Sequence, residues 1–208
     1  MKKIPTLFER VYENHKVVGC LSNVTAGMEW VLTGDGVATV KIDGSCCAII
    51  NGEFYKRYDA KKGRKVPDGA IKCQDEADPI TGHLPCWVKC DRNNPVDKWF
   101  WAAYDSLINV KKDCKVLSFG TTKVSLNEDL LDAEIKTYEA VGEHFQGNPY
   151  NLSGDMLVRH GEAVIEVERT YEEIKQFLSK NYIEGIVFWK DGQPQCKIKR
   201  SDFGFDWK

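Results

Sequence analysis

VATVKIDGSCCAIINGEFYKRYDA, residues 37–60 of a 208-residue chain, carries the clearest structural signal in this sequence. Three apolar runs follow one another here, and the dipeptides Asp43-Gly44 and Asn51-Gly52 separate them. Asp-Gly and Asn-Gly favour the two-residue turns of β-hairpins, because both central residues of such a turn adopt positive φ. The stretch therefore predicts three consecutive strands joined by two hairpin turns.

Further strands are predicted downstream, where apolar residues alternate or form short runs bounded by turn residues. They cover residues 115–119, 134–141, 155–159 (paired with 163–167), and the segments EGIVFW and QCKIKR on either side of Asp191-Gly192.

Helices are predicted at three places. Residues 95–110 have an aromatic face, and Thr170-Tyr-Glu-Glu173 is a capping box that predicts a helix from Tyr171 to Ser179. A short helix is also predicted before His15, because apolar residues recur there at helical spacing: Leu7, Phe8, Val11 and Tyr12. Strands outnumber helices, so the sequence predicts an α+β fold with antiparallel sheets rather than regular βαβ alternation.

Composition and charge are those of an ordinary globular protein. Hydrophobic residues make up 42% and charged residues 29%, and 29 Lys and Arg against 31 Asp and Glu give a net charge of −2. These values argue against long disorder, a collagen-like repeat or a coiled coil. Because the net charge is close to zero, any attraction to nucleic acid has to come from local basic patches.

No targeting or membrane segment is evident. No apolar run approaches the roughly 18 residues of a membrane span, and the start MKKIPTLFERVYENHK lacks the apolar core of a secretory signal. We therefore expect a cytoplasmic protein that does not enter a membrane, and a monomer. The length suits a single domain over residues 1–208.

Eight cysteines are compatible with two interpretations. Without an export signal, we expect mostly reduced, buried thiols rather than disulfides. The alternative is a zinc site formed by a group that clusters in sequence but lacks the C-x-x-C spacing of a zinc knuckle: Cys73, His83, Cys86 and Cys90.

Lys41 is the first candidate for chemistry. It ends a predicted strand between two apolar residues, Val40 and Ile42, immediately before the Asp43-Gly44 dipeptide. A lysine held against a cavity wall among other cations is favoured in its uncharged form, which is a nucleophile. The alternative is a solvated lysine beside a turn.

A basic stretch follows in the region of residues 56–65. It contains one anion, Asp59, and six cations that would attract phosphate: Lys56, Arg57, Lys61, Lys62, Arg64 and Lys65. The alternative is a solvated, lysine-rich loop.

Two carboxylates and two lysines complete the candidate set. Glu139 lies in TYEAVG and Glu184 opens EGIVF, so each could project from a strand and help to hold Mg²⁺. Lys197 and Lys199 alternate along one strand, which places two ammonium groups about 7 Å apart on one face, a spacing that suits a polyphosphate. Solvated edge-strand side chains are the alternative in each case.

Taken in order, these residues resemble the motifs of covalent nucleotidyltransferases, the superfamily of ATP-dependent DNA and RNA ligases and mRNA capping enzymes. K-I-D-G at residues 41–44 resembles the K-x-D-G nucleophile motif. The later motifs have counterparts in order over about residues 30–205: Arg57 in KRYD, Glu139 in YEAVG, Glu184 in EGIVF, and Lys197-Ile198-Lys199. KIDGSCC, RYDAKKG and GNPY (147–150) are most similar to the compact RNA ligases, the family of the vertebrate 5′-to-3′ RNA ligase and its phage relatives.

The resemblance implies a nucleotidyltransferase fold, with two antiparallel sheets and flanking helices around an ATP cleft. It implies that Lys41 becomes covalently attached to AMP, and that the AMP passes to an RNA 5′-phosphate before a 3′-hydroxyl seals the strand. The implied cofactors are ATP and Mg²⁺, with Mn²⁺ as an alternative metal, and the implied partner is RNA with 5′-phosphate and 3′-hydroxyl ends. The chain ends eight residues after Arg200, so a C-terminal OB domain is not expected.

Roles for individual residues also follow from the resemblance. Ile42, Arg57, Glu139, Lys197 and Lys199 would bind the nucleotide together with Lys41 and Glu184, and the metal would be held by Glu184, Glu139 and Asp43. Three alternatives stay open: a DNA ligase or GTP-using capping enzyme, a protein that transfers AMP to other proteins, and a non-catalytic nucleotide- or RNA-binding module.

Overall fold

Antiparallel sheets dominate both of the compact units into which the chain divides. The structure is a computed structural model and describes residues 2–14, 16–79, 81–109, 116–119, 122–126 and 135–208. The first unit comprises residues 1–3, 43–111 and 132–160, and the second comprises residues 4–42, 112–131 and 161–208. In the described part of the chain no helix is long and apolar enough to cross a membrane.

The regular elements, in chain order, are β1 (Phe8–Glu13), β2 (Lys16–Val24), β3 (Val37–Lys41), β4 (Ser45–Ile50), β5 (Glu53–Ala60), β6 (Ile71–Lys72), β7 (Leu84–Lys89), α1 (Lys98–Asn109), β8 (Val116–Phe119), β9 (Thr122–Leu126), β10 (Ile135–Gly142), β11 (Asp155–Arg159), β12 (Ala163–Ile165), α2 (Tyr171–Lys180), β13 (Gly185–Lys190) and β14 (Gln193–Lys199). The predicted α+β class with antiparallel sheets is confirmed.

The first unit is built on a six-stranded antiparallel sheet in the order β11-β10-β4-β5-β7-β6. The predicted Asn51-Gly52 hairpin is confirmed, since Ile50 pairs with Glu53 across the two residues of the turn. Both turn residues have positive φ, 51° and 78°, as this kind of turn requires.

Helix α1 covers this sheet with its aromatic face. Phe54 on β5 lies 4.9 Å from the ring of Tyr104 and 5.3 Å from that of Trp101. The Asn94 side chain accepts a hydrogen bond from the Val96 amide and caps the 3₁₀ turn that leads into the helix. The helix predicted over 95–110 is therefore present, although Val110 lies outside the described residues.

The second unit is built on a six-stranded sheet in the order β14-β13-β3-β12-β9-β8 and on the β1–β2 hairpin. Its core contains fully buried side chains from α2 and from the two C-terminal strands, including Ile174, Leu178, Ile186 and Ile198. The predicted capping residue is confirmed, because Thr170 Oγ1 accepts a hydrogen bond from the Glu173 amide at 3.2 Å. The hairpin around Asp191-Gly192 is also present.

The helix predicted before His15 is wrong. Residues 8–13 form β1, which pairs with β2 from Phe8 opposite Val24 to Glu13 opposite Lys16. Asn14 has φ of 47° and begins the turn that brings the two strands together. The helical spacing of a few apolar residues was overridden by this pairing.

The hairpin predicted at Asp43-Gly44 is also wrong. β3 pairs with β12 and β13, whereas β4 pairs with β5 and β10. Neither residue of the dipeptide has positive φ, so the hairpin turn cannot form. A Cβ at Gly44 would lie only 2.2 Å from the Ala140 carbonyl oxygen, so this glycine permits close backbone packing instead.

Two further strand predictions needed tertiary information. The strands at 155–159 and near 163–167 exist, but β11 pairs with β10, and β12 pairs with β3 and β9, so they do not form a pair. Strands β2, β6, β7 and β9 were not predicted.

Candidate active site

In the second unit, Glu184 joins two lysines through one carboxylate group. Lys41 Nζ donates to Glu184 Oε2 at 2.5 Å, and Lys199 Nζ lies 2.6 Å from Glu184 Oε1. Glu184 is 5% exposed, whereas both lysines reach partly into solvent. Three of the residues predicted to bind nucleotide therefore meet in one ion-pair cluster around a buried carboxylate.

Strand register explains this convergence. Strand β13 lies between β3 and β14, and Gly185 on it pairs with Lys41 at the end of β3 on one side and with Lys199 at the end of β14 on the other. Glu184 immediately precedes Gly185, so its carboxylate lies between the two lysine-bearing strand ends. Ile42, the next residue after Lys41, is buried at 6% exposure and anchors the end of β3.

Gly185 is required for the close approach of these strands. A Cβ at this position would lie 2.1 Å from the Ile198 carbonyl oxygen and 2.9 Å from the Lys199 Cα. A side chain here would force β13 and β14 apart, so the glycine of EGIVF sets the distance between Glu184 and Lys199.

Lys197 adds a further cation to the cluster. It lies on the same face of β14 as Lys199, because the alternate residues Cys196 and Ile198 are fully buried on the opposite face. Burial, with the positive charges of Lys41 and Lys199, lowers the pKa of Lys197 to about 8. Such a concentration of positive charge favours binding of an anion.

Arg10 and Asp202 belong to the same region and were missed by the sequence analysis. Arg10 Nε donates to Asp202 Oδ1 at 2.8 Å, and Asp202 Oδ2 accepts from the Lys199 amide at 2.9 Å. The segment before β1 also lies beside β14, since the Leu7 amide donates to the Lys197 carbonyl oxygen at 2.7 Å. These contacts hold the end of β14 in place. Arg10 precedes Lys197 by almost the whole chain, so no local pattern could have revealed them.

The first unit contains Arg57 and Glu139 on the walls of an open cavity of about 510 Å³. Arg57 Nε donates to Asp59 Oδ1 at 2.8 Å. Burial would lower the pKa of Arg57, but the hydrogen bond that Arg57 donates to Asp59, with the electrostatic contributions of Asp59, Cys46 and Cys73, outweighs it, and the net pKa is raised. Arg57 therefore stays a cation at this cavity.

Glu139 lies beside a histidine and a cysteine that the sequence analysis did not select. Glu139 pairs across strands with Cys46, and His160 Nε2 lies 2.8 Å from Glu139 Oε2. Burial, assisted by the negative charge of Glu139, raises the pKa of the Cys46 thiol to about 12. The sequence showed Cys46 on a predicted strand, but its alignment with Glu139 depended on strand register.

Asp43 is held through its backbone. Its amide donates to the Tyr150 hydroxyl at 2.6 Å, which links the K-I-D-G and GNPY segments. The metal set Glu184, Glu139 and Asp43 draws on both units and stays a prediction.

The alternative zinc site does not form. All four of its residues are described, and no three of them bring ligand atoms within the 4.8 Å expected around one ion. In the described part of the chain every cysteine is a free thiol. Four of them are buried (Cys47, Cys86, Cys90 and Cys196) and three are partly exposed (Cys20, Cys46 and Cys73), and Cys114 lies outside the described residues.

Comparison with known proteins assigns the chain to a family. The family model described as RNA ligase 1 matches residues 56–208, about three quarters of the chain. The chain is 28% identical to RNA ligase 1 of Danio rerio and 23% identical to RNA ligase 1 of Pongo abelii, and each alignment covers 82% of this chain and 68% of the relative. The chain belongs to the RNA ligase 1 family.

Proposed function

We propose that this protein is an ATP-dependent RNA ligase that uses Lys41 as its nucleophile. The observation that carries the proposal is the buried Glu184 carboxylate, which joins Lys41 and Lys199 at the ends of adjacent strands, with Lys197 beside them. The arrangement combines a nucleophilic amine with cations suited to a polyphosphate. The antiparallel sheets support a nucleotidyltransferase fold, and the ATP cleft stays a prediction.

In the first step Lys41 Nζ attacks the α-phosphorus of ATP. The new P–N bond forms as the bond from the α-phosphorus to the bridging oxygen breaks, and pyrophosphate leaves. The amine must lose a proton to attack, so its ion pair with Glu184 has to open when ATP binds, and the proton passes to solvent. Lys197 and Lys199 would then neutralise the charge that develops on the α-phosphate.

In the second step an oxygen of the RNA 5′-phosphate displaces the Lys41 amine from AMP, giving an RNA capped by AMP through a pyrophosphate bond. In the third step the 3′-hydroxyl loses its proton to solvent and attacks the RNA 5′-phosphorus, AMP leaves, and a phosphodiester forms. Arg57 would bind a phosphate of the nucleotide or of the RNA, a task for which its planar guanidinium is suited. Glu139 would bind the ribose hydroxyls or the metal.

Mg²⁺ fits the donor chemistry of the proposed residues, because carboxylate oxygens are its preferred ligands. In the second unit Glu184 would hold it, because both Glu184 oxygens keep lone pairs beyond those that accept from lysine. When bound, the ion would offset negative charge on the triphosphate.

The experiment is covalent labelling with α-labelled ATP and Mg²⁺, followed by denaturing electrophoresis and mass spectrometry. We expect one AMP on Lys41 in the wild type, none on Lys41→Ala, and normal labelling of Lys190→Ala, whose lysine pairs with Asp35 at the opposite end of β13. Label elsewhere, or undiminished label on Lys41→Ala, would refute the assignment.

Two parallel reactions separate the alternatives. Labelling by GTP in place of ATP would indicate a capping-type enzyme. Sealing of nicked DNA but not of RNA with 5′-phosphate and 3′-hydroxyl ends would indicate a DNA ligase, and absence of any label would indicate a binding module.

A further inference from the structure

Three side chains of different chemistry meet on one face of the first unit's sheet. Cys46 and Glu139 are direct cross-strand partners on β4 and β10, and His160 follows β11 on the other side of β10. Cross-strand partners project from the same face of a sheet. The Cys46 Sγ, a Glu139 oxygen and a His160 ring nitrogen all lie within 4.8 Å of one another.

From this geometry we infer that Cys46, Glu139 and His160 bind one Zn²⁺ ion. Thiolate, imidazole and carboxylate are the three ligand types that zinc takes in proteins, and three protein ligands leave a fourth position open. A thiolate and a carboxylate carry two negative charges, which balance the charge of the ion. Mg²⁺ is disfavoured here because it prefers oxygen ligands.

Thr137 orients the histidine of this site. His160 Nδ1 lies 3.0 Å from Thr137 Oγ1. This contact fixes the orientation of the ring, and the other ring nitrogen, Nε2, lies 2.8 Å from Glu139 Oε2. A hydroxyl can donate or accept, so it can satisfy Nδ1 in either tautomer of the ring. When Nε2 binds zinc, Nδ1–H would donate to Thr137, which is the kind of outer contact that zinc-binding histidines usually make.

The ion has a route to the site, since Cys46 and Glu139 line the open cavity of the first unit. All three ligands are only partly buried. Binding requires loss of the Cys46 thiol proton, which would be released to solvent as the sulfur–zinc bond forms. The nearby Arg57 cation is already paired with Asp59 and does not occupy the three ligand atoms.

A functional consequence follows and rests on the proposed function. Zinc bound by Glu139 would withdraw that carboxylate from the nucleotide or from Mg²⁺. We therefore expect Zn²⁺ to inhibit attachment of AMP to Lys41 at concentrations that saturate the site, by tenfold or more. The metal site would then act as an inhibitory site.

The test begins with the full chain, reduced and freed of metal by a chelator, and titrated with Co²⁺ as a spectroscopic probe. We expect one equivalent of Co²⁺ to give a thiolate-to-cobalt charge-transfer band, and one equivalent of Zn²⁺ to abolish it. Absence of the band would overturn the inference, and so would binding without a thiolate signature.

Variants identify the ligands. Zn²⁺ affinity is measured by chelator competition. Thr137→Val removes an outer partner and should weaken Zn²⁺ binding by roughly 10–100-fold. Cys46→Ser and His160→Gln each remove a direct ligand and should weaken Zn²⁺ binding by more than that. Cys20→Ser, which alters a partly buried free thiol of the second unit, should bind as the wild type does. Wild-type affinity in Cys46→Ser would overturn the inference.

If Cys46→Ser does not fold, wild-type protein still decides the question. Zn²⁺ should protect Cys46 from alkylation, as mapped by mass spectrometry, and protection of a different cysteine would overturn the site. None of these binding measurements depends on ligase activity, so failure of AMP labelling would count against the proposed function and leave the zinc result intact.

Discussion

At the scale of single residues, Glu184 is the carboxylate that joins the lysines of the candidate site. It is almost completely buried, and its two oxygens contact two different lysines. A buried carboxylate is costly unless it is paired, and its loss leaves the partner cations uncompensated. Substitution of Glu184 is therefore expected to affect both the proposed function and the stability of the protein.

Glu184→Gln tests this coupling. We expect AMP labelling of Lys41 to fall by about 10²–10³, the cost typical of losing one preorganised charge contact at a reacting centre. We expect the free energy of unfolding to fall by about 1–3 kcal/mol, the cost typical of leaving hydrogen-bond partners unsatisfied. Labelling rates and denaturant unfolding measure the two effects. Glu172→Gln, at an exposed position of α2, is the matched control and should change neither. A wild-type labelling rate in Glu184→Gln would contradict the assigned role.

The lowered pKa of Lys197 predicts that replacing this lysine raises the stability of the protein, by an amount that depends on pH. Burial and neighbouring cations lower its pKa from 10.5 to about 8, so the charged form is disfavoured in the folded protein. Lys197→Met removes that charge and keeps most of the side-chain volume, so we expect the free energy of unfolding at pH 7 to rise by about 1–3 kcal/mol.

The sign over pH follows from proton counting. Between about pH 8 and 10.5 the unfolded chain keeps the Lys197 proton that the folded protein has lost, so wild-type stability rises with pH. The advantage of Lys197→Met should therefore be largest below pH 8 and vanish above 10.5. Urea unfolding at several pH values measures it, and an advantage that grows with pH would contradict the explanation.

At the scale of elements, the site depends on how strands β3, β13 and β14 align. Pairing of Gly185 with both Lys41 and Lys199 brings residues that are far apart in sequence to the same end of the sheet. The N-terminal segment and the Arg10–Asp202 pair hold the end of β14 from its other edge. Strand spacing, rather than any single side chain, sets the distances in the cluster.

Gly185→Ala tests the role of strand spacing. The new Cβ would clash with the Ile198 carbonyl, so we expect a loss of about 2 kcal/mol and a fall in Tm of roughly 4–8 °C, together with reduced AMP labelling. Gly19→Ala is the matched control, because its Cβ would come no closer than 3.9 Å to the Asp202 carbonyl oxygen. Equal Tm values for the two variants would contradict the spacing argument.

At the scale of the whole molecule, charge is distributed unevenly. The chain carries a net charge of −2, yet six cations occur between Lys56 and Lys65. Binding of RNA phosphates by a slightly acidic protein must depend on such local groups, and it must weaken as salt rises. The exposed members of the stretch include Lys61, Lys62 and Arg64.

Neutralising those three residues to Gln should separate RNA binding from chemistry. We expect the slope of log affinity against log salt for single-stranded RNA to decrease in magnitude by roughly 2, with self-labelling by ATP unchanged. Filter binding over a salt series measures the slope. The triple variant of Lys16, Lys136 and Lys180, exposed lysines on other elements, is the control. An unchanged slope would exclude the stretch from the RNA interface.

Local chemistry determined a large part of this protein in advance. The α+β class, the Asn51-Gly52 hairpin and the Thr170 cap follow from turn chemistry, capping and periodicity, which act over a few residues. The ordered motifs from Lys41 to Lys199 also indicated an RNA ligase, and the family match agrees.

Only the tertiary structure decided which of these local pieces became neighbours. The same Asp-Gly signal that predicted a hairpin at Asp43-Gly44 instead connects strands of two different sheets, and the helical spacing before His15 gave way to a strand. Arg10 reached Asp202, and Cys46 reached Glu139 and His160, through pairings between distant segments. Partner choice and register depend on burial summed over whole sheets, so residues a few positions apart cannot specify them.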